Sequence, residues 1–484
     1  MTEAAQEPQR TVRFGRRPQR GLLLGFAAAR AACIALAVTV FSSAVFLDGA
    51  TGLAILAPVW IGLLALAFVS AGGRYAVEVA PTVGHFLLRQ VTGQGSYRVR
   101  PSTPVEAGTL TLPGMSSRLT FQQDAISGAV LVHDSAASTV TAVVKVRHPA
   151  YVLLSPDEQA RRVRGWGRVL AALAPSSCAR LQVLEIALPD SGQGIRGWWQ
   201  QHGHQGDDDW TAREYETLLD GAAPSASTHR TLIAVSLDLK KASRTIRQSG
   251  RGLVGAAAVL RQEMTSLETS LRAADLIPDG WLDAKALAGL IRMTYDPQAQ
   301  PQVERGLVAK RLEGSGPVAV TEHWDHLRHD SGFSAILWIS EWPRVEAPTF
   351  FLHSLVFQPG IRKTLSIIAT PLSTTQAMGA IRKAKVEYLT DSAQKAKIGA
   401  VADLADGQEL SDVLDRERAL VGGHADIRFT GLLSVTAGTR DELEGAVARV
   451  ERAAIQGGCE TRRLAGQQAQ SFLAAALPLA RQVD

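Results

Sequence analysis

The sequence predicts an α+β chain in which an N-terminal two-helix transmembrane hairpin precedes cytosolic α/β units. Three observations carry this. Two charge-free apolar runs, residues 31–47 and 52–71, lie near the start, and each is about as long as a helix needs to be to cross a hydrocarbon core. Basic residues gather ahead of the first run. Beyond residue 73, β-branched runs alternate with helix-period stretches, the pattern of a sheet covered by helices.

Only residues 48–51 separate the apolar runs, so together they form a tight hairpin. Arg10, Arg13, Arg16, Arg17, Arg20 and Arg30 precede it against Glu3 and Glu7, Arg74 follows it, and the connecting loop carries Asp48 and no basic residue. Basic flanks stay on the cytoplasmic side. Arg13, Arg16, Arg17, Arg20, Arg30 and Arg74 are therefore the topology-setting residues of a multi-pass protein of the inner cell membrane, with the N-terminus and the C-terminal domain cytoplasmic. Read instead as a signal peptide, the first run leaves the second as a stop-transfer segment, and the large domain is still cytosolic.

The chain has 484 residues and a net charge of +5, of which residues 1–74 supply +4. That basic arm suits anionic membrane lipid. The remaining +1 lacks the basic excess of a nucleic-acid binder, so no direct nucleic-acid binding is indicated. Cys33, Cys178 and Cys459 include no C-x-x-C spacing, so neither a disulfide framework nor a thiolate zinc site is implied.

In order, residues 1–20 read as a disordered basic arm and 21–73 as the hairpin. Residues 74–125 read as a connector and small β-unit, with short alternating pieces at 96–100, 109–112 and 118–122. The first α/β domain spans 126–300. It opens with strands at 128–133 and 139–147, then a helix from Pro156 to about Leu173, where Ser155 and Glu158 make a capping box. Strands at 181–188 and 231–237 follow, with helices at 211–221, 252–274 and 281–294. The second α/β domain spans 301–484: strands at 334–339 and 364–370, a short apolar element at 350–357, a long helical region over 374–421 broken near Gly407, a strand at 424–437, a helix at 441–456 and a strand at 459–464. This alternation predicts ferredoxin-like α/β units.

Chemistry is sparse. Gly192-Gln-Gly194-Ile-Arg-Gly197 matches G-x-G-x-x-G, which holds a dinucleotide only when tight between a strand and a helix of a βαβ unit. Pro189-Asp-Ser191 intervenes and no clear second strand follows, so an ordinary flexible loop is expected. No Gly-Lys pair exists, so the chain has no P-loop. His323, Asp325, His326 and His329 form the densest set of metal-type ligands, and His202, His204, Asp207, Asp208 and Asp209 form a second. Both lack the H-E-x-x-H pattern and are expected to be structural or solvated. There is no G-x-S-x-G elbow. The expectation is no catalysis, no cofactor and no metal. The rival expectation is a membrane-bound enzyme using the Gly192 loop or the His323 cluster.

Four stretches near the C-terminus carry a resemblance: Arg428-Phe-Thr-Gly-Leu-Leu-Ser-Val-Thr436, Thr439-Arg-Asp-Glu-Leu-Glu444, Gln467-Gln-Ala-Gln-Ser-Phe472 and Leu477-Pro-Leu-Ala-Arg481. They resemble the end of the N-terminal half of TraC-like type IV secretion ATPases, where such a segment precedes the motor domain. The hairpin with its basic arm is similar to the small PrgI-type membrane subunit of the same machines. The resemblance implies a PrgI-type anchor joined to a motor-less TraC-like region, a family of streptomycetes and their relatives. It implies a non-catalytic structural subunit of a type IV secretion or conjugation-like apparatus, in a homo- or hetero-oligomeric assembly that docks a separate secretion ATPase. The alternative is a type VII secretion scaffold, whose EccE-like subunit also has two membrane helices before a cytosolic domain.

Overall fold

The computed structural model describes residues 11–12, 28–71, 74–100, 106–148, 151–190, 192–203, 210–222, 227–308, 311–343, 346–397, 404–422 and 424–483. Two compact bodies are present, residues 16–96 and residues 1–15 with 97–484.

The smaller body is helical. Helix α1 (Ala28–Phe68) is interrupted at Gly49, whose φ of 57° and ψ of −127° leave helical space. Glycine reaches this conformation without Cβ strain. The two halves, Ala29–Leu47 and Gly49–Phe68, are each long and apolar enough to cross a membrane. Only 11% of each is buried, whereas a core helix of a soluble protein is mostly buried. They fold back on each other: the Phe41 and Trp60 rings meet edge-on at 5.4 Å, and Arg30 sits 3.7 Å above the Tyr75 ring and 5.1 Å from that of Phe68. Residues 74–93, expected as a connector, form helix α2 (Ala76–Val91), whose Leu87, Leu88 and Val91 are exposed.

The larger body is built on one antiparallel sheet with fourteen strands among the described residues. It contains one pattern twice. The first copy runs β1 (Leu119–Gln123), β2 (Val130–Asp134), β3 (Thr139–Arg147), α3 (Pro156–Ala172), β4 (Cys178–Pro189), α4 (Gln193–His202), α5 (Trp210–Ala222), β5 (Ser227–Asp238), α6 (Gly252–Ala273), β6 (Ile277–Trp281) and α7 (Ala284–Tyr295). The second runs β7 (Ala319–Glu322), β8 (Leu327–His329), β9 (Gly332–Glu341), α8 (His353–Val356), β10 (Arg362–Pro371), α9 (Thr374–Lys397), α10 (Leu404–Val421), β11 (Ile427–Ala437), α11 (Arg440–Gln456), β12 (Glu460–Arg463) and α12 (Gln468–Ala476).

Spatial order repeats too, as β6-β3-β5-β4 in one copy and β12-β9-β11-β10 in the other. Even single bonds recur: Leu282 N–H donates to Val143 O at 2.8 Å, and Leu464 N–H to Ile336 O at 2.9 Å. The copies join edge to edge through antiparallel β4 and β10, from Ala187 opposite Lys363 to Leu181 opposite Ala369. The sheet thus runs unbroken across residue 300, where the sequence placed a domain boundary.

Local signals mark the start of two long helices. Ser155 caps α3 and Thr439 caps α11, each completing a capping box with the Glu three residues on. The helical region expected to break near Gly407 instead carries Gly407 inside α10, and its two helices end at Lys397 and begin at Leu404.

The front of the sheet has two cores. Leu181, Ile233 and Val144 pack with Leu260 and Leu271 of α6 in the first copy, and Leu337, Leu433 and Val435 pack with Leu443 and Val450 of α11 in the second. The back has one core shared by both copies, where Leu184, Ile186, Ile336, Ile368 and Leu432 lie under α7 and α12. Burying a single apolar layer across the β4–β10 junction makes the two copies one body.

The tail closes this layer. Phe472 is fully buried, 4.9 Å from the Tyr295 ring and 5.3 Å from that of His329. Gly114, at φ 83°, lies so close to α12 that a Cβ there would stand 2.7 Å from the Ala469 carbonyl carbon. One side chain of β4 holds the turn after α12: Gln182 Nε2 donates to Ala474 O (2.8 Å), Leu477 O (3.1 Å) and Ser366 Oγ (2.9 Å), while its Oε1 accepts from Ala480 N–H at 2.7 Å.

Candidate functional site

The glycine motif lies just after β4. Gly192 has φ 69° and caps α4, so Gly194 and Gly197 fall inside a helix where the sequence led us to expect a flexible loop. Two features leave a dinucleotide no seat. The Gly192 N–H already donates to Asp190 Oδ1 at 2.9 Å, so a carboxylate stands where a phosphate would bind. The next strand, β5, returns antiparallel to β4, whereas the dinucleotide fold needs a parallel βαβ crossover.

The histidine cluster sits on the β7–β8 hairpin and not on a helix. His329 is 1% exposed. Its Nδ1 is 2.6 Å from Tyr295 O and its Nε2 2.7 Å from Ser334 Oγ. A carbonyl only accepts, so Nδ1 carries the proton. Burial pushes the imidazole down to about 4, so at neutral pH Nε2 accepts from the Ser334 hydroxyl, which in turn accepts from Thr436 Oγ1 at 2.7 Å. Both ring nitrogens are spent inside the core, and no lone pair faces a metal.

His326 Nδ1 meets Asp325 Oδ1 at 2.7 Å, and its ring stacks on His323 at 4.4 Å. Burial, helped by the His326 charge, lowers the His323 pKa. Asp325 is also approached by Arg440 at 3.5 Å and Arg463 at 3.7 Å. Burial opposes ionisation of Asp325, but the His326 hydrogen bond and charge outweigh it and hold the carboxyl below its usual range. The carboxylate is the centre of a surface ion network. Among the described residues no three His, Cys, Asp or Glu are grouped to hold a metal ion. His202 Nδ1 bonds Trp198 O at 3.1 Å within α4; His204, Asp207, Asp208 and Asp209 lie outside the described residues.

A cleft of about 280 Å³ opens where the copies meet, lined by Pro189, Pro297, Ile361, Arg362, Glu442 and Arg449. Arg362 donates to Gln300 Oε1 and, at 3.5 Å, to Pro297 O, and burial pulls it down to about 10. Glu442 accepts from Thr439 N–H at 3.2 Å as a helix cap. Arg362 and Glu442 are thus engaged in holding the α7–β7 connection and the start of α11.

Burial pushes the thiols of Cys178 and Cys459 up to about 12 and about 11, so neither is a thiolate at neutral pH. Of the topology residues, Arg30 lies over Tyr75 as described, and Arg74 lies in the two-residue strand Arg74–Tyr75 paired with Ser70–Ala71. Arg13, Arg16, Arg17 and Arg20 lie outside the described residues. Comparison of the chain with protein-family models and with curated proteins finds no match.

Proposed function

We propose that this chain is a non-catalytic inner-membrane subunit of a type IV secretion or conjugation-like apparatus, anchored by its helical hairpin and docking a separate P-loop ATPase. The observation that carries the reading is the C-terminal succession. The four stretches that resemble the TraC-like family form β11, the capped start of α11, helix α12 and the buried turn pinned by Gln182. They are parts of one structural unit, with β12 between α11 and α12. The order β6-β3-β5-β4, repeated in the second copy, is that of a ferredoxin-like βαββαβ unit, and we read the body as two such units with helical insertions.

Topology has its own support. Thr11–Val12, ahead of the hairpin, pair antiparallel with Ala347–Pro348, far beyond it. Two segments that share backbone hydrogen bonds lie on one side of a membrane, and the arginine excess assigns that side to the cytoplasm. A cysteine introduced at Thr51 should then react with an impermeant maleimide added to intact cells, while one at Thr11 should react only after lysis. Labelling of Thr11→Cys in intact cells reverses the topology.

The functional reading is tested by pull-down of the tagged full chain from native membranes, read by mass spectrometry. A TraC-like P-loop ATPase is the expected dominant partner. Type VII motor proteins in its place, or no secretion component at all, would overturn the proposal.

A further inference from the structure

Helix α2 begins where the second apolar span ends. The short strands Ser70–Ala71 and Arg74–Tyr75 turn the chain back on itself, and the Ala76 N–H donates to Val69 O at 2.9 Å. The first residue of α2 is thus bonded to the residue that follows the span Gly49–Phe68. Arg30, at the start of the other span, lies over both Phe68 and Tyr75. The start of one span, the end of the other and the start of α2 therefore meet at one level. In a hairpin that crosses a bilayer, this level is the boundary between hydrocarbon and headgroups, where tyrosine rings and snorkelling arginines gather.

α2 has two unlike faces. Ala80, Gly84, Leu87, Leu88 and Val91 recur at helical spacing on one side. All five are exposed, Leu87 by 56%, Leu88 by 62% and Val91 by 86%. Glu78, Thr82, His85 and Arg89 recur on the opposite side. Half-buried Val79, Val83 and Phe86 lie on a flank between them. α2 touches α1, yet its apolar stripe stays uncovered.

Three features choose lipid as the occupant of that stripe. Its side chains are small or aliphatic, with no Trp, Tyr or Arg, the anchors on which protein interfaces depend; fluid acyl chains ask for no matching shape. Standing away from the membrane, α2 would carry Val91 about 22 Å into water, whereas lying flat it sets the whole stripe on hydrocarbon and leaves Glu78, Thr82, His85 and Arg89 in water. Glu78 and Arg89 balance in charge, so the contact is apolar and needs no anionic lipid.

We infer that α2 lies in the plane of the membrane surface, with Leu87, Leu88 and Val91 sunk about 5–10 Å into the boundary between headgroups and acyl chains. The inference rests on the reading of the two apolar spans as a membrane hairpin.

The test uses the full chain in phosphatidylcholine nanodiscs, with Cys33, Cys178 and Cys459 changed to Ala and a spin label on one introduced cysteine at a time. The sites are Val59→Cys, in the middle of the second span and 48% exposed, His85→Cys, Leu88→Cys and Val91→Cys. Collisions with oxygen, which dissolves in lipid, and with a water-soluble nickel chelate report where each label sits. The oxygen-to-nickel ratio at Leu88 and Val91 should be several-fold above that at His85 and below that at Val59. Anionic lipid added to the nanodiscs should leave it unchanged.

Ratios at Leu88 and Val91 as low as at His85, with Val59 still in lipid, overturn the inference and leave the hairpin standing. A Val59 label in water removes the hairpin reading and the inference with it. A Leu88 label shielded from both reagents means that protein covers the stripe, and also overturns the inference. If the cysteine-free chain folds poorly, a benzophenone amino acid at Leu88 of the otherwise native chain carries the same test. Cross-linking to phospholipid, read as a mass increase, is the expected result, and cross-linking to protein overturns it.

Discussion

Replacing Gln182 with Leu is expected to destabilise the larger body by about 1–3 kcal/mol, although the change puts an apolar side chain into an apolar layer. Gln182 is fully buried and satisfies Ala474 O, Leu477 O and Ala480 N–H at once. Leucine would leave the Ala480 N–H buried without a partner, at about 1–3 kcal/mol, and remove one of two hydrogen bonds from each of Ala474 O and Leu477 O, at about 1 kcal/mol each, against a gain of about 2 kcal/mol for the leucine itself. Ser366 Oγ still donates to Ala474 O at 3.0 Å and Leu479 N–H to Leu477 O at 2.9 Å. The checks are the unfolding midpoint of the full chain and amide exchange at Ala480, which should accelerate in the variant. An unchanged or higher midpoint would mean that the tail is held by its apolar contacts alone.

Acidification from pH 6.5 towards 4 is expected to cost up to about 3 kcal/mol through His329. Its folded-state pKa, about 4, lies below its ordinary value of 6.5. Burial is the main cause and the Arg362 charge adds to it. The Tyr295 carbonyl, Asp330 and Asp296 pull the other way. Because the folded value is depressed, the unfolded chain takes up a proton throughout this window while the folded chain does not. Stability is therefore fully present above 6.5 and falls with pH, by about 1.4 kcal/mol per unit. Carboxylates titrate in the same range, so the reference is His329→Gln, whose amide offers a donor and an acceptor but no proton uptake. The stability difference between wild type and variant should narrow by up to about 3 kcal/mol from pH 7 to 4. A pH-independent difference would show that His329 does not stay neutral.

Some of this was legible in the residues because the physics is local. Ser155 with Glu158 announced the start of α3, since a capping box closes within one turn. Strand β3 was read at its full length from its alternating β-branched run, and the two apolar spans from length and charge alone. The errors that stayed local were those of glycine: Gly194, Gly197 and Gly407 read as breakers, yet each lies within a helix, where packing outweighs a propensity cost of about 1 kcal/mol.

The sequence by itself determined many of the elements, such as the strand Thr139–Arg147 and the helix from Pro156, where the apolar hairpin lies, and that no P-loop is present. Tertiary structure alone decided what those elements build. The duplication of the whole β-β-β-α-β-α-α-β-α-β-α pattern left no repeat visible in the residues, because many side chains satisfy the same backbone register. The β4–β10 junction joins strands more than 170 residues apart, and the sign of an edge pairing is not written in either edge. His329 belongs to a set of metal-type residues expected from the chain to be structural or solvated, and it becomes a core residue only when Tyr295 and Ser334 arrive on its two nitrogens. Gln182 carries no signal of its own in the strand read at 181–188 and becomes the clamp of the tail only when Ala480 reaches it. In each case the deciding interaction is a hydrogen bond or an apolar contact between segments distant in sequence, and its strength depends on a burial that exists only after folding.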